Sequence, residues 1–311
     1  MNKNKVIAIV VTTAAIIYAL WKVVGPDLKY NAAVAMMNEG KYEKAMAAFD
    51  ALDGYKDSYK QKSECQTAIN DKAYDEAVTL MNEGKYEEAL SAFYALHGYK
   101  DSTKKARSIR EKLNFEQMKA AEAGEYITFG TYNKVGVEWL VLERDGNRLF
   151  VISKYVLDRQ LYNDEIESVT WETCTLRKWL NRTFLNEAFS KSEQSLIQTT
   201  EVSADKNPYW ETNPGEATND KMFLLSINEV NKYFTSDEER ICAPTRDASV
   251  GNKDASSWWL RSPGIYQQVA ARVKEDGSVS SDEGVVLMGD KYGVVYYPEG
   301  VRPAMWIDLD A

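Results

Sequence analysis

The chain has 311 residues, 44% apolar and 27% charged, with a formal net charge of −9. That length argues for about two domains, and the acidity argues against nucleic acid, since phosphate binding needs a basic face. The single histidine, His97, leaves no HExxH motif and no His-rich metal site, and Cys65, Cys174 and Cys242 lie too far apart for a zinc spacing or a redox CxxC.

Residues 6–24 open the chain as an apolar run behind Lys3 and Lys5, uncharged from Val6 to Trp21 and interrupted by Lys22. Its length is at the lower limit of a bilayer span, and Tyr18 and Trp21 suit an interface. The expectation is a membrane anchor over 1–27, with the N-terminus cytoplasmic and the bulk of the chain extracytoplasmic. A cleaved signal peptide and a soluble core helix are the rivals. The exit YALWKVVGPD lacks the small residues that signal cleavage needs.

Residues 28–124 contain a repeat. YNAAVAMMNEGKYEKAMAAFDALDGYKDS, starting at Tyr30, returns at Tyr74 as YDEAVTLMNEGKYEEALSAFYALHGYKDS. Tyr30, Ala33, Val34 and Met37 make one helical stripe, and Tyr42, Ala45, Phe49 and Leu52 make a second. Gly40 and Gly84 are placed as left-handed helix ends. Between Ser58 and Glu83 there is neither glycine nor proline, so one long helix, or two with a joint near Asp71, fills the gap. A third, incomplete unit runs to Gly124. His97 replaces Asp53 of the first copy and is read as a surface or structural residue. The phrase MNEGKYEEALSAFYAL resembles the tetratricopeptide repeat, although the period of that family is about 34 residues. The resemblance implies antiparallel helix pairs serving as a spacer or as a docking platform.

At Glu125 the texture changes. VEWLVLE and RLFVISK flank Asp145-Gly146 and read as a hairpin. Residues 170–188 read as a helix, and Ser226 with Glu229 reads as a capping box on another. From Trp258 onward, strands alternate with Gly-, Asp- and Ser-rich loops. Cys174 reads as a buried small residue, and pairing with Cys242 is left open. Ser280 to Glu283 with Asp290 could offer oxygens to calcium, but no EF-hand pattern surrounds them, so neither metal nor cofactor is expected.

The phrases ITFGTY, VTWETCTLRKWLN, DKMFLLSINEVNKYF, SSWWLRSPG and GVRPAMWIDL together resemble a bacterial extracytoplasmic family of domains of unknown function. The Trp-Trp pair, the DG turn and GVRPA also resemble the C-type-lectin-like fold of formylglycine-generating enzymes. The implied fold class is multidomain: an N-terminal transmembrane helix, all-α tetratricopeptide-like repeats, and an α+β C-type-lectin-like domain over 125–311. The implied function is ligand recognition at the bacterial cell surface, with an envelope protein, peptide or glycan as partner and the lipid bilayer contacted through residues 6–24.

Candidate ligand contacts are Tyr209 and Trp210 in a polar loop, Trp258 on a strand, and Tyr266, Tyr292 and Tyr296 in the last loops. Each has a plainer reading as a structural aromatic. Adjacent strand residues face opposite sides, so one of Trp258 and Trp259 is expected in the core. Arg261 and Arg302 read as structural. No catalytic residue is assigned. The alternative is a glycan- or cell-wall-acting enzyme using carboxylates such as Asp220, Asp247, Glu275 or Asp276.

Overall fold

The computed structural model describes residues 24–165, 167–251, 254–281 and 298–311, and the backbone alone at 288–290 and 293–295. The chain divides into two compact units, 1–113 and 114–311.

The first unit is helical. Helix α1 covers 24–38, α2 Tyr42–Asp50, α3 Ser58–Asn82 and α4 Tyr86–Ala95, and α5, Ser102–Ala120, runs past its end. Gly40 has φ +74 and Gly84 φ +77. At the first, the amide of Gly40 reaches the Met37 carbonyl and that of Lys41 the Met36 carbonyl; Gly84 and Lys85 repeat the arrangement on Met81 and Leu80. This paired closure lets the chain reverse within two residues. Ala33, Ala45, Phe49 and Cys65 form one core, and Ala77, Ala89, Phe93, Ala106 and Ile109 form the next. The alanines let the helices approach closely while one phenylalanine fills each layer. With no breaker in its sequence, α3 is a single 25-residue helix that joins the two copies.

The GYKDS segments latch each layer. Tyr30 stands edge-on to Phe49 and donates its hydroxyl to Asp57; Tyr74 does the same with Phe93 and Asp101. Lys100 pairs with Asp71 at 2.5 Å and lies 4.7 Å over the Tyr74 ring, while Tyr99 donates to Asp71 at 3.0 Å. Lys56 pairs with Asp27 and lies over Tyr30 in the same way, which extends the repeat back to Asp27.

The second unit mixes sheets and helices. Strands β1 (Tyr126–Tyr132), β2 (Val135–Asp145) and β3 (Arg148–Ser153) form an antiparallel meander. A five-stranded sheet contains β4 (Asp158–Gln160), and β5 (Thr200–Val202) pairs with β6 (Thr218–Asp220). The five-stranded sheet continues with β7 (Trp258–Pro263), β8 (Ala270–Val273) and β9 (Val279–Ser280). Later in the chain come β10 (Met288–Asp290) and β11 (Gly293–Val295), which pair with each other, then β12 (Glu299–Val301) and β13 (Ala304–Asp308). The first sheet has the order β1-β2-β3-β13; the second has the order β4-β12-β7-β8-β9, with β12 parallel to β7. Asp145 pairs with Arg148 across the expected tight turn, and Gly146 has φ +61.

Helix α6 begins at Thr175, not Thr170. The Cys174 thiol caps it by accepting the Arg177 amide at 3.4 Å. A wider turn over Leu180–Phe184 leads into α7 (Leu185–Ala188), and α8 (Lys191–Leu196) is a separate helix with its own capping box at Ser190. The Ser226–Glu229 box opens α9 (Ile227–Tyr233), and α10 is Asp237–Arg240.

The expected fold class is corrected. Among the described residues no helix is long and apolar enough to cross a membrane, and the expected span lies, Val24 apart, outside them. Helices and two larger sheets share the second unit, and the C-type-lectin-like description is set aside. Trp258 and Trp259 are both fully buried, because every position of β7 is covered on both faces. Trp258 donates to the Arg240 carbonyl at 3.2 Å and Trp259 to the Gln160 carbonyl at 2.9 Å, so neither indole N–H is left unpaired.

Candidate functional site: an aromatic rim

The end of β7 fixes a tight surface. Gly264 donates to the Val269 carbonyl and Ile265 to the Ser281 carbonyl at 2.7 Å. A Cβ at Gly264 would sit 2.6 Å from Val269 Cγ1 and 2.8 Å from the Ser281 oxygen, so only glycine allows this approach. The turn carries Tyr266 outward, 64% exposed.

The loop over 203–217 is bound to this turn. Buried Asn207 donates to the Pro263 carbonyl at 2.7 Å and accepts the Tyr209 amide at 2.8 Å. Thr212 donates to the Gly264 carbonyl at 2.7 Å, and Asn213 exchanges two hydrogen bonds with the Gln267 side chain. Tyr209 is 66% exposed, and Trp210 is 39% exposed while its indole N–H reaches Ser281 Oγ at 3.1 Å. The rim therefore sets three exposed aromatics on two cross-linked loops. Of the other expected contacts, Trp258 is a core residue, and Tyr292 and Tyr296 lie outside the described residues.

The carboxylates of the alternative reading are dispersed. Asp220 is buried and receives Arg177 Nε at 2.8 and 2.9 Å, Trp171 at 3.1 Å and Thr218 at 2.6 Å, a structural set. Asp276 is held by Ser278 in the β8–β9 turn, and exposed Glu275 precedes it. Arg261 is buried, forked on Glu229 and close to Asp205. Arg302 is buried beneath Phe234 and Trp258 and donates to the Ser153 carbonyl at 2.8 Å. The three cysteines are free and buried. Burial pushes the Cys174 thiol up to about 12, which removes it as a nucleophile at neutral pH. Among the described residues there is no cluster of three or more potential metal ligands.

Asp247 is placed differently. It lines a cavity of about 500 Å³ together with Tyr132, Val135, Glu138, Tyr155 and Arg246. This cavity escaped the sequence because its walls come from three separated stretches. The one local signal is Asn133-Lys134, a turn with φ +50 and +67.

Residues 146–309 match the domain of unknown function DUF6273, just over half of the chain, and the chain belongs to that family. No curated protein and no solved structure matches it. The match begins at the β2–β3 turn, yet β2 pairs with β3 from Trp139 to Asp145, and Trp139 is buried. The folded unit thus extends well before the matched stretch.

Proposed function

We propose that the DUF6273 domain is a ligand-recognition module and that the helical repeats serve as its spacer or docking platform. The observation that carries this reading is the rim: Tyr209, Trp210 and Tyr266 are exposed on loops whose backbone is already fixed by hydrogen bonds. Pre-ordered aromatics lose little entropy on binding and offer stacking area with a polar edge. A glycan or peptide of the cell envelope suits such a surface, and the resemblance of residues 125–311 to extracytoplasmic domains supports a location outside the cytoplasm.

The test is an array of envelope glycans and peptides probed with the full chain. Tyr209→Ala combined with Trp210→Ala, and separately Tyr266→Ala, should abolish binding and leave the fold intact, since exposed substitutions usually change stability by less than about 0.5 kcal/mol. Turnover of a glycan by the purified protein, lost in Asp247→Asn, would replace this reading with the enzymatic one.

A further inference from the structure

The cavity at the β1–β2 turn shares no residue with the aromatic rim and presents a different chemistry. Tyr132 and Tyr155 supply aromatic walls, and Val135, Val137 and Leu157 supply apolar ones. Thr245 donates to the Val156 carbonyl at 2.9 Å, and Val156 bridges Pro244, which holds the 244–247 wall in place.

Its charges are unequal. The Tyr132 hydroxyl donates to Asp158. Burial and then Asp158 push that hydroxyl well above its ordinary range. Glu138 is paired with Lys154 at 3.0 Å. Among the described residues, Asp247 is approached by Arg246 at 3.7 Å, and the Arg246 side chain is 97% exposed. Lys154 already shows the compatible geometry: its ammonium lies 5.1 Å over the Tyr155 ring while its charge is met by Glu138.

We infer that this cavity binds an organic ammonium ion with an apolar body, the body against Tyr132, Tyr155 and Leu157 and the cationic head beside Asp247. Ring faces attract a cation through their quadrupole, and carboxylates at the wall favour a positive head over a neutral or negative one. An anionic ligand would meet the Glu138 and Asp247 carboxylates of the lining, with Arg246 and the Glu138-paired Lys154 in its favour.

The experiment titrates the full chain with n-butylammonium and tetramethylammonium chloride, against n-butanol and butyrate at constant ionic strength, followed by NMR line shifts. Saturable binding of both ammonium ions, stronger than of butanol or butyrate, is expected. Tyr155→Ala and Asp247→Asn should each weaken it about tenfold, and Tyr155→Phe should keep it within about twofold. Asp247→Asn alters a half-exposed side chain, so it reports even if Tyr155→Ala disturbs folding. The rim variant Tyr209→Ala/Trp210→Ala should leave ammonium binding unchanged, which separates this site from the proposed recognition surface. Equal binding of butyrate, no saturable ammonium binding, or indifference to Asp247→Asn would overturn the assignment.

Discussion

Gly84 and Gly277 both have positive φ, +77 and +84, but their surroundings differ. A Cβ at Gly84 would meet nothing within 4 Å, so Gly84→Ala carries only the strain of a left-handed backbone, about 1 kcal/mol. At Gly277 the added carbon would lie 1.8 Å from the Asp237 carbonyl oxygen, a rigid backbone atom. Gly277→Ala should therefore lower the denaturation midpoint of the second unit more than Gly84→Ala lowers that of the first. Equal effects in urea titrations would show that the 237 segment yields freely. His97 belongs to the same class as these glycines. It is exposed at φ +48, where Asp53 of the first copy has +45, so both copies place a side chain at the same left-handed turn position.

The latches set the behaviour of the helical elements. The carboxyl of Asp71 is held below its usual range, first by Lys100 and then by Tyr99; that of Asp27 is lowered equivalently by Lys56 and Tyr55, and those of Asp57 and Asp101 first by the hydroxyls of Tyr30 and Tyr74. A lowered folded-state pKa gives stability that is complete above the unfolded value of about 3.9 and is lost as pH falls through the folded one. The melting temperature of a 24–113 fragment should thus stay level from neutrality to about pH 4 and drop below it. Asp71→Asn should make that drop shallower, and an unaltered acid limb would show that the latch carries no folding free energy. Each contact is at the surface and individually weak. Tyr74→Phe, which keeps the ring against Phe93 and loses only the bond to Asp101, should accordingly cost less than Tyr74→Ala in thermal melts. The repeat was legible before the structure because helix stripes and terminal glycines are local, short-period signals. The Asp27 partner of Lys56 was not, since it sits on a preceding helix and no periodicity marks a pairing across a turn.

At the scale of the whole molecule, the domain is larger than its family match. Ile127, Trp139 and Val141 of β1 and β2 are buried in the same core as Leu149, Val151 and Ile307. A fragment of residues 114–311 should melt cooperatively, whereas 146–311 should not, since it exposes β3 as an unpaired edge and removes the core tryptophan, a truncation that alone costs about 3–5 kcal/mol. Cooperative melting of the shorter fragment would show that the meander is dispensable. The sequence by itself determined the helical layers, the 145–148 hairpin and the capping box at Ser226, because each is settled by residues within a few positions of one another. Only the tertiary structure decided that Trp258 and Trp259 are both core, because the two-residue alternation of a strand does not say whether one face or both will be covered. It likewise decided that Asp220 belongs to Arg177, 43 residues away, while Asp247 faces a cavity: the field around a carboxylate depends on groups the chain brings in from far along its length.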